Sequence, residues 1–215
     1  MNKLLDNLGP IDWDDFERAA ATTKEVVREL AADKAGLREM IYSIEHDPYR
    51  LSKCERHYLL DKFVLYDALD RGFRVRLHMS TNNHLDRPHD HRFSFTTLIL
   101  TGTYQHIWHH VHKNVDDTLE LSDVEPVFIT NEEVGSCYTL HHSAVHTTFT
   151  TPNSVSLVIR GPAEKQRSII TERETGKIWW RYGEQEESAE RRRDKCMSLE
   201  DYKTLRANVE ALGVI

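Results

Sequence analysis

Pro88-His89-Asp90-His91-Arg92-Phe93-Ser94-Phe95, followed by Gly102, and the later run Leu140-His141-His142-Ser143-Ala144-Val145-His146 decide how this chain is read. In an extended strand, residues two apart point the same way, so His89 and His91 project from one face. A third imidazole from a distant strand, His146, would complete three ligands on one side of a metal. The other side stays open, which a catalytic centre requires and a closed structural site lacks. Ten of the thirteen histidines fall between His84 and His146, so imidazole density peaks where such a centre would lie. By the same period of two, Phe93 and Phe95 share the ligands' face and are expected to make the pocket apolar and partly dry.

Composition bounds the rest. A chain of 215 residues is long enough for one full core without staples. A net charge of −7 argues against a nucleic-acid-binding surface, which would be basic. Cys54, Cys137 and Cys196 are few and widely spaced, with no disulfide framework or zinc knuckle, so a reducing cytoplasm is expected. Met1-Asn2-Lys3-Leu4-Leu5-Asp6 has no signal-peptide pattern, and no apolar run is long enough to span a membrane.

Working outward, apolar spacing predicts helix from about Trp13 to His46, with Asp12 or Asp14 capping the first segment and a second segment, Leu37–Ile44, that Asp47-Pro48 ends. From about His57 the character turns to short strands: Lys62–Tyr66, Phe73–Met79, His91–Leu100, Thr103–Val111, Val127–Ile129, Cys137–Leu140, Val145–Thr150, Val155–Ile159, Arg167–Thr171 and Lys177–Arg181. Such spacing suggests an antiparallel sandwich or barrel. Trp179-Trp180 is expected to pack in the core of the closing strand. Glu184–Lys195 is a charge run expected to be solvated, and Ser198 with Asp201 opens a last helix that Gly213 ends. The division is a helical extension over 1–50, a barrel over 51–183, and a charged segment with helix over 184–215, all in one compact domain.

Counted from His91, Phe95 follows by four residues and Gly102 by seven more; Gly135 precedes His141 by six, and Thr150 follows His146 by four. This spacing resembles the cupin superfamily, whose motifs are G-x5-H-x-H-x3,4-E-x6-G and G-x5-P-x-G-x2-H-x3-N. The resemblance covers roughly His89 to Thr150. It implies a mainly β double-stranded β-helix, or jelly-roll barrel, holding one metal, with His89, His91 and His146 as ligands and Gly102 as the turn glycine. Departures are as informative: Asn83 replaces the first glycine, Phe95 the glutamate ligand, His141 the proline, Ser143 the second motif's inner glycine and Thr150 the asparagine. The chain is therefore similar to three-histidine cupins such as thiol dioxygenases. That similarity implies Fe(II), with Zn, Ni or Mn as alternatives.

Three groups flank this centre. Arg74, Arg76 and His78 alternate along one strand face; Arg76 either holds a substrate carboxylate inside the barrel or belongs to a solvated face. Tyr104 and His106 share a face, where a phenol could orient substrate or move a proton, although a strand tyrosine commonly just packs. Arg160, at a strand end, could hold a carboxylate. His109, His110 and His112 are expected in solvent, and His141 or His142 could hold a ligand's tautomer. The leading expectation is a non-haem Fe(II) oxygenase acting with dioxygen on a small amino-acid-like or thiol substrate. Alternatives are a redox-inert zinc cupin catalysing a rearrangement in a natural-product pathway, a 2-oxoglutarate enzyme, and a non-catalytic ligand-binding cupin. No nucleic acid or membrane partner is expected. A homodimer is the assembly the resemblance implies.

Overall fold

The computed structural model describes residues 2–56, 60–172, 174–183 and 186–215, apart from the side chain of His84. The expected onset of strand structure at His57 and the start of the charge run at Glu184 lie outside the described residues.

Helices stand at both ends of a mainly β protein. At the N-terminus, α1 (Lys3–Asn7), α2 (Phe16–Ala32), α3 (Lys34–Tyr42) and α4 (Pro48–Ser52) follow one another. The two expected helical segments are α2 and α3, the second starting at Lys34 instead of Leu37. Asp33 closes α2 and its side chain accepts from the Gly36 amide to open α3. The cap of α2 is Asp15, one residue beyond the expected pair. Asp47-Pro48 ends one helical run and starts another, because proline fits the first turn of a helix as well as it blocks an interior.

The strands fall into two facing sheets. One runs β1 (Asp61–Ala68), β2 (Phe73–Ser80), β9 (Ser154–Arg160), β4 (Phe95–Thr101), β7 (Cys137–Leu140); the other runs β3 (His84–Leu85), β8 (Val145–Thr150), β5 (Tyr104–Val111), β6 (Val124–Glu132). The pairings nest. β5 pairs with β6, β4 with β7, β3 with β8 and β2 with β9, all antiparallel. A ribbon folded at the β5–β6 connection and wound on itself gives this order, so the architecture is the jelly-roll double-stranded β-helix. β10 (Arg167–Thr171) and β11 (Ile178–Tyr182) add a two-stranded ribbon.

Sheet polarity follows the alternation of β2. Phe73, Val75, Leu77 and Met79 join Leu157 and Ile159 of β9 in the main core, against Val27 and Leu30 of α2 and Tyr202 and Leu205 of α6 (Leu199–Ala211). The main apolar core therefore lies outside the barrel, under the helices. The barrel's inner face is polar and tied across the sheets. Ser80 Oγ lies 2.7 Å from Thr150 Oγ1, and Tyr104 Oη 2.9 Å from Ser156 Oγ. Aromatic character returns around Phe95, Leu140 and Val158, with Phe93, Trp108 and Tyr138 packed against them.

One further expectation is corrected. Trp179 is about half exposed beneath the Arg87 guanidinium, since β11 is an outer ribbon, not a core strand. The charge run is largely exposed among its described residues, as expected, and includes α5 (Ala189–Lys195), capped by Ser188; the chain beyond it pairs Cys196 with Glu55. No helix is long and apolar enough to cross a membrane among the described residues.

Candidate metal centre

The expected strand His91–Leu100 begins its ladder only at Phe95, so the His89-Asp90-His91 segment reaches the site by another route. His89 forms a bridge between two strands, opposite His146 in β8 and Ile170 in β10. Its amide donates to the His146 carbonyl at 2.9 Å and its carbonyl accepts from the His146 amide at 2.9 Å. This local pairing supplies the extended geometry that a full strand would have supplied. Asp90 points the other way, buried, accepting from the Ile169 amide at 2.8 Å and pairing with Lys165. The carboxylate between the two histidines thus anchors the segment and is absent from the ligand face.

His89, His91 and His146 bring one ring nitrogen each to within 4.8 Å of the others, an arrangement that could hold a metal ion. The Nε2 atoms of His91 and His146 lie 2.8 Å apart. Ring centroids of His89 are 4.8 Å from His91 and 4.5 Å from His146. The opposite ring nitrogens are occupied. His89 Nδ1 lies 2.7 Å from the Arg87 carbonyl, which fixes that nitrogen as the donor and frees Nε2. His146 Nδ1 lies 2.7 Å from Nε2 of His106. For His146 to bind metal through Nε2 its proton must sit on Nδ1, which makes His106 Nε2 the acceptor.

His106, expected to share a catalytic face with Tyr104, is buried behind His146 and faces its Nδ1. Its own Nδ1 is buried without a partner among the described residues. Burial, followed by the neighbouring imidazoles, lowers His106 to about 4. His91 and His146 are also held well below the ordinary histidine range, chiefly by burial and then by their histidine neighbours; Arg181 and Lys62 add to this at His91. At neutral pH these rings are free of the extra proton that a metal would otherwise displace. Replacing His106 with Phe is expected to weaken metal binding about 10- to 100-fold, the usual effect of losing an outer hydrogen-bond partner. His106→Gln, which keeps an acceptor, should retain more affinity; metal titration of the two variants distinguishes them.

The remaining expected residues distribute as follows. Phe95 stands 4.8 Å from His91 and 6.4 Å from His146, and Phe93 5.9 Å from His91, so the wall beside the histidines is aromatic. Tyr104 is placed differently from expectation: its hydroxyl engages Ser156, and it makes no hydrogen bond or ring contact with the three histidines. Of the two alternatives left open for Arg76, its burial rules out a solvated face, but it is likewise out of contact with the histidines and lines a separate cavity with Arg74 and Glu55. Arg160 lies over the Phe93 ring at 4.5 Å. His110 and His112 are exposed, whereas His109 is half-buried in β5 with Nε2 2.9 Å from Thr147 Oγ1. His142 pairs with Glu164 at 2.7 Å, away from the three-histidine group.

No protein-family model matches the chain, and no curated protein matches it. Solved structures resemble it over about half its length. KdgF from Halomonas sp. shares 9% identity, covering 50% of this chain and 86% of that one, with a TM-score of 0.37. An RmlC-like cupin from Shewanella frigidimarina shares 14%, covering 52% and 85%, with a TM-score of 0.38. The DMSP lyase DddQ from Ruegeria pomeroyi shares 14%, covering 46% and 43%, with a TM-score of 0.33. Similarity this distant carries no argument about substrate or reaction. The nested strand pairing defines the jelly roll, and the histidines define the candidate centre.

Proposed function

We propose that His89, His91 and His146 hold a single divalent metal and that the protein is a mononuclear metal-dependent enzyme. In this reading it is an Fe(II) oxygenase acting on a small amino-acid-like or thiol substrate. The observation that carries the proposal is the orientation of the imidazoles. His89 and His146 have their Nδ1 atoms engaged by Arg87 and His106, and His91 and His146 turn their Nε2 atoms toward each other. Such an all-nitrogen, neutral donor set suits Fe(II) and related ions. Ferrous iron held there would supply dioxygen activation next to a bound substrate.

The chain's own residues contribute binding and exclusion. Three neutral ligands leave the ion's charge uncancelled, so an anionic or chelating substrate is favoured. Phe93 and Phe95 shield the ligands from water, which strengthens electrostatic attraction inside the pocket. Asp90 and His106 hold the ligand-bearing backbone and ring in place.

Oxygen uptake tests the reading. Iron-loaded full-length protein should consume dioxygen on addition of at least one member of a panel of small thiols, amino acids and diketones, and zinc-loaded protein should not. Metal retained with no uptake from any member would overturn the oxygenase and favour redox-inert zinc chemistry.

A further inference from the structure

A second concentration of charge lies on the inner face of β2. A cavity of about 220 Å³ opens where β2, the 52–55 segment and α5 meet, and none of the three histidines lines it. That is the volume of about seven waters at roughly 30 Å³ each, the scale of a small molecule. Six basic side chains, Lys53, Arg74, Arg76, Arg192, Arg193 and Lys195, face it together with the single carboxylate of Glu55. The chain as a whole carries −7, so the local sign is the reverse of the molecule's. The patch is assembled from residues far apart in the chain, which meet where β2 and α5 line the same cavity.

Several of these charges are already answered. Arg74 binds Asp67 with two hydrogen bonds, Nε to Oδ1 at 3.0 Å and Nη2 to Oδ2 at 2.6 Å. Glu55 is paired with Lys62 at 2.8 Å, and Lys195 with Glu187. Arg76 is the exception. It is 8% exposed, its Nε is sealed from solvent without a partner, and its guanidinium makes no hydrogen bond among the described residues. A guanidinium offers five donors, and burying it unpaired is costly. Arg160, opposite Arg74 in the β2–β9 ladder, also has a sealed, unpartnered Nε. Burial, then the charges of Arg76 and Arg74, pushes it down to about 8. Arg192 and Arg193 form no ion pair among the described residues and stand exposed where α5 borders the cavity.

Guanidiniums without hydrogen-bond partners among the described residues, with Glu55 first among the carboxylates acting on Arg76, therefore converge from two separate elements on a cavity of small-molecule size. A planar carboxylate is satisfied by the fork of one arginine. A phosphate monoester presents three acceptor oxygens and close to two charges, so it can engage guanidiniums arriving from different directions. We propose that this cavity binds the phosphate group of a small phosphorylated molecule through Arg76, Arg192 and Arg193, at a site distinct from the three-histidine centre.

Calorimetric titration of the full chain with pyrophosphate tests this, with citrate as the carboxylate comparison. Pyrophosphate should bind with a dissociation constant of about 1 mM or tighter, at least about tenfold more tightly than citrate. Arg76→Gln should weaken binding at least about tenfold, and so should the exposed double change Arg192→Gln with Arg193→Gln, which spares the core and keeps the test sound if Arg76→Gln fails to fold. His91→Ala should leave pyrophosphate binding unchanged, which separates this site from the metal centre. No binding in this range, citrate as tight as pyrophosphate, or full affinity in the Arg192/Arg193 variant would each overturn the proposal, as would loss of binding in a folded His91→Ala protein.

Discussion

His146→Ala is expected to give a folded protein that no longer holds metal. The residue serves the centre twice, presenting Nε2 beside His91 and fixing its own orientation through Nδ1 and His106. Losing only an outer partner of a ligand typically costs 10- to 100-fold in affinity, so removing the ligand itself should cost at least about 100-fold, or ~2.7 kcal/mol. The backbone bridge between His89 and residue 146 does not depend on the side chain, so the segment should keep its path. His106 would lose its partner, at about 1–3 kcal/mol of stability for a buried polar group left unpaired. Metal titration with parallel denaturant unfolding separates the two effects. Stoichiometric metal in His146→Ala would show that the ligand assignment is wrong.

Gly102→Ala is expected to be the most damaging small change in the barrel. Gly102 joins β4 to β5 with φ +75°, in the left-handed region where a Cβ is disfavoured. A Cβ there would come 2.3 Å from Ser154 Oγ and 2.6 Å from Ser154 Cα. The hydroxyl can turn away, but the Cα cannot without shifting β9. Left-handed backbone costs an L-residue roughly 1–2 kcal/mol, and overpacking a further 1–3 or so, giving about 2–5 kcal/mol together. The unfolding free energy should fall by that amount, read as a lower denaturant midpoint with the slope unchanged. A loss under about 1 kcal/mol would mean that the turn relaxes freely and that Gly102 has no steric role.

The parts legible in the sequence are those that depend on local chain geometry. His89 and His91 read correctly as a pair because alternation needs only an extended backbone, which one bridge to His146 supplies even though the β4 ladder starts later at Phe95. Gly102 was placed as the turn glycine by the cupin-like spacing, and its φ of +75° fits that role. Arg74 and Arg76 read correctly as one face of β2, but which face turned inward depended on helices packed from both ends of the chain. His106 was noticed, but its contact with His146 was not. Its place behind His146 follows from the β5–β8 register, in which Trp108 lies opposite His146, and no local signal sets that register. The basic cavity was out of reach for the same reason. It depends on the pairing of Glu55 with Cys196, residues far apart in the chain, which carries α5 over β2.

The most direct test of the central claim is metal-edge X-ray absorption on the full chain loaded with Fe(II) without oxygen and freed of excess ion. The account expects one bound ion per chain, with the scattering pattern of three imidazoles, other light atoms completing the shell, and no sulfur. No bound metal, a shell containing sulfur, or three-imidazole scattering that persists unchanged in His146→Ala would contradict it.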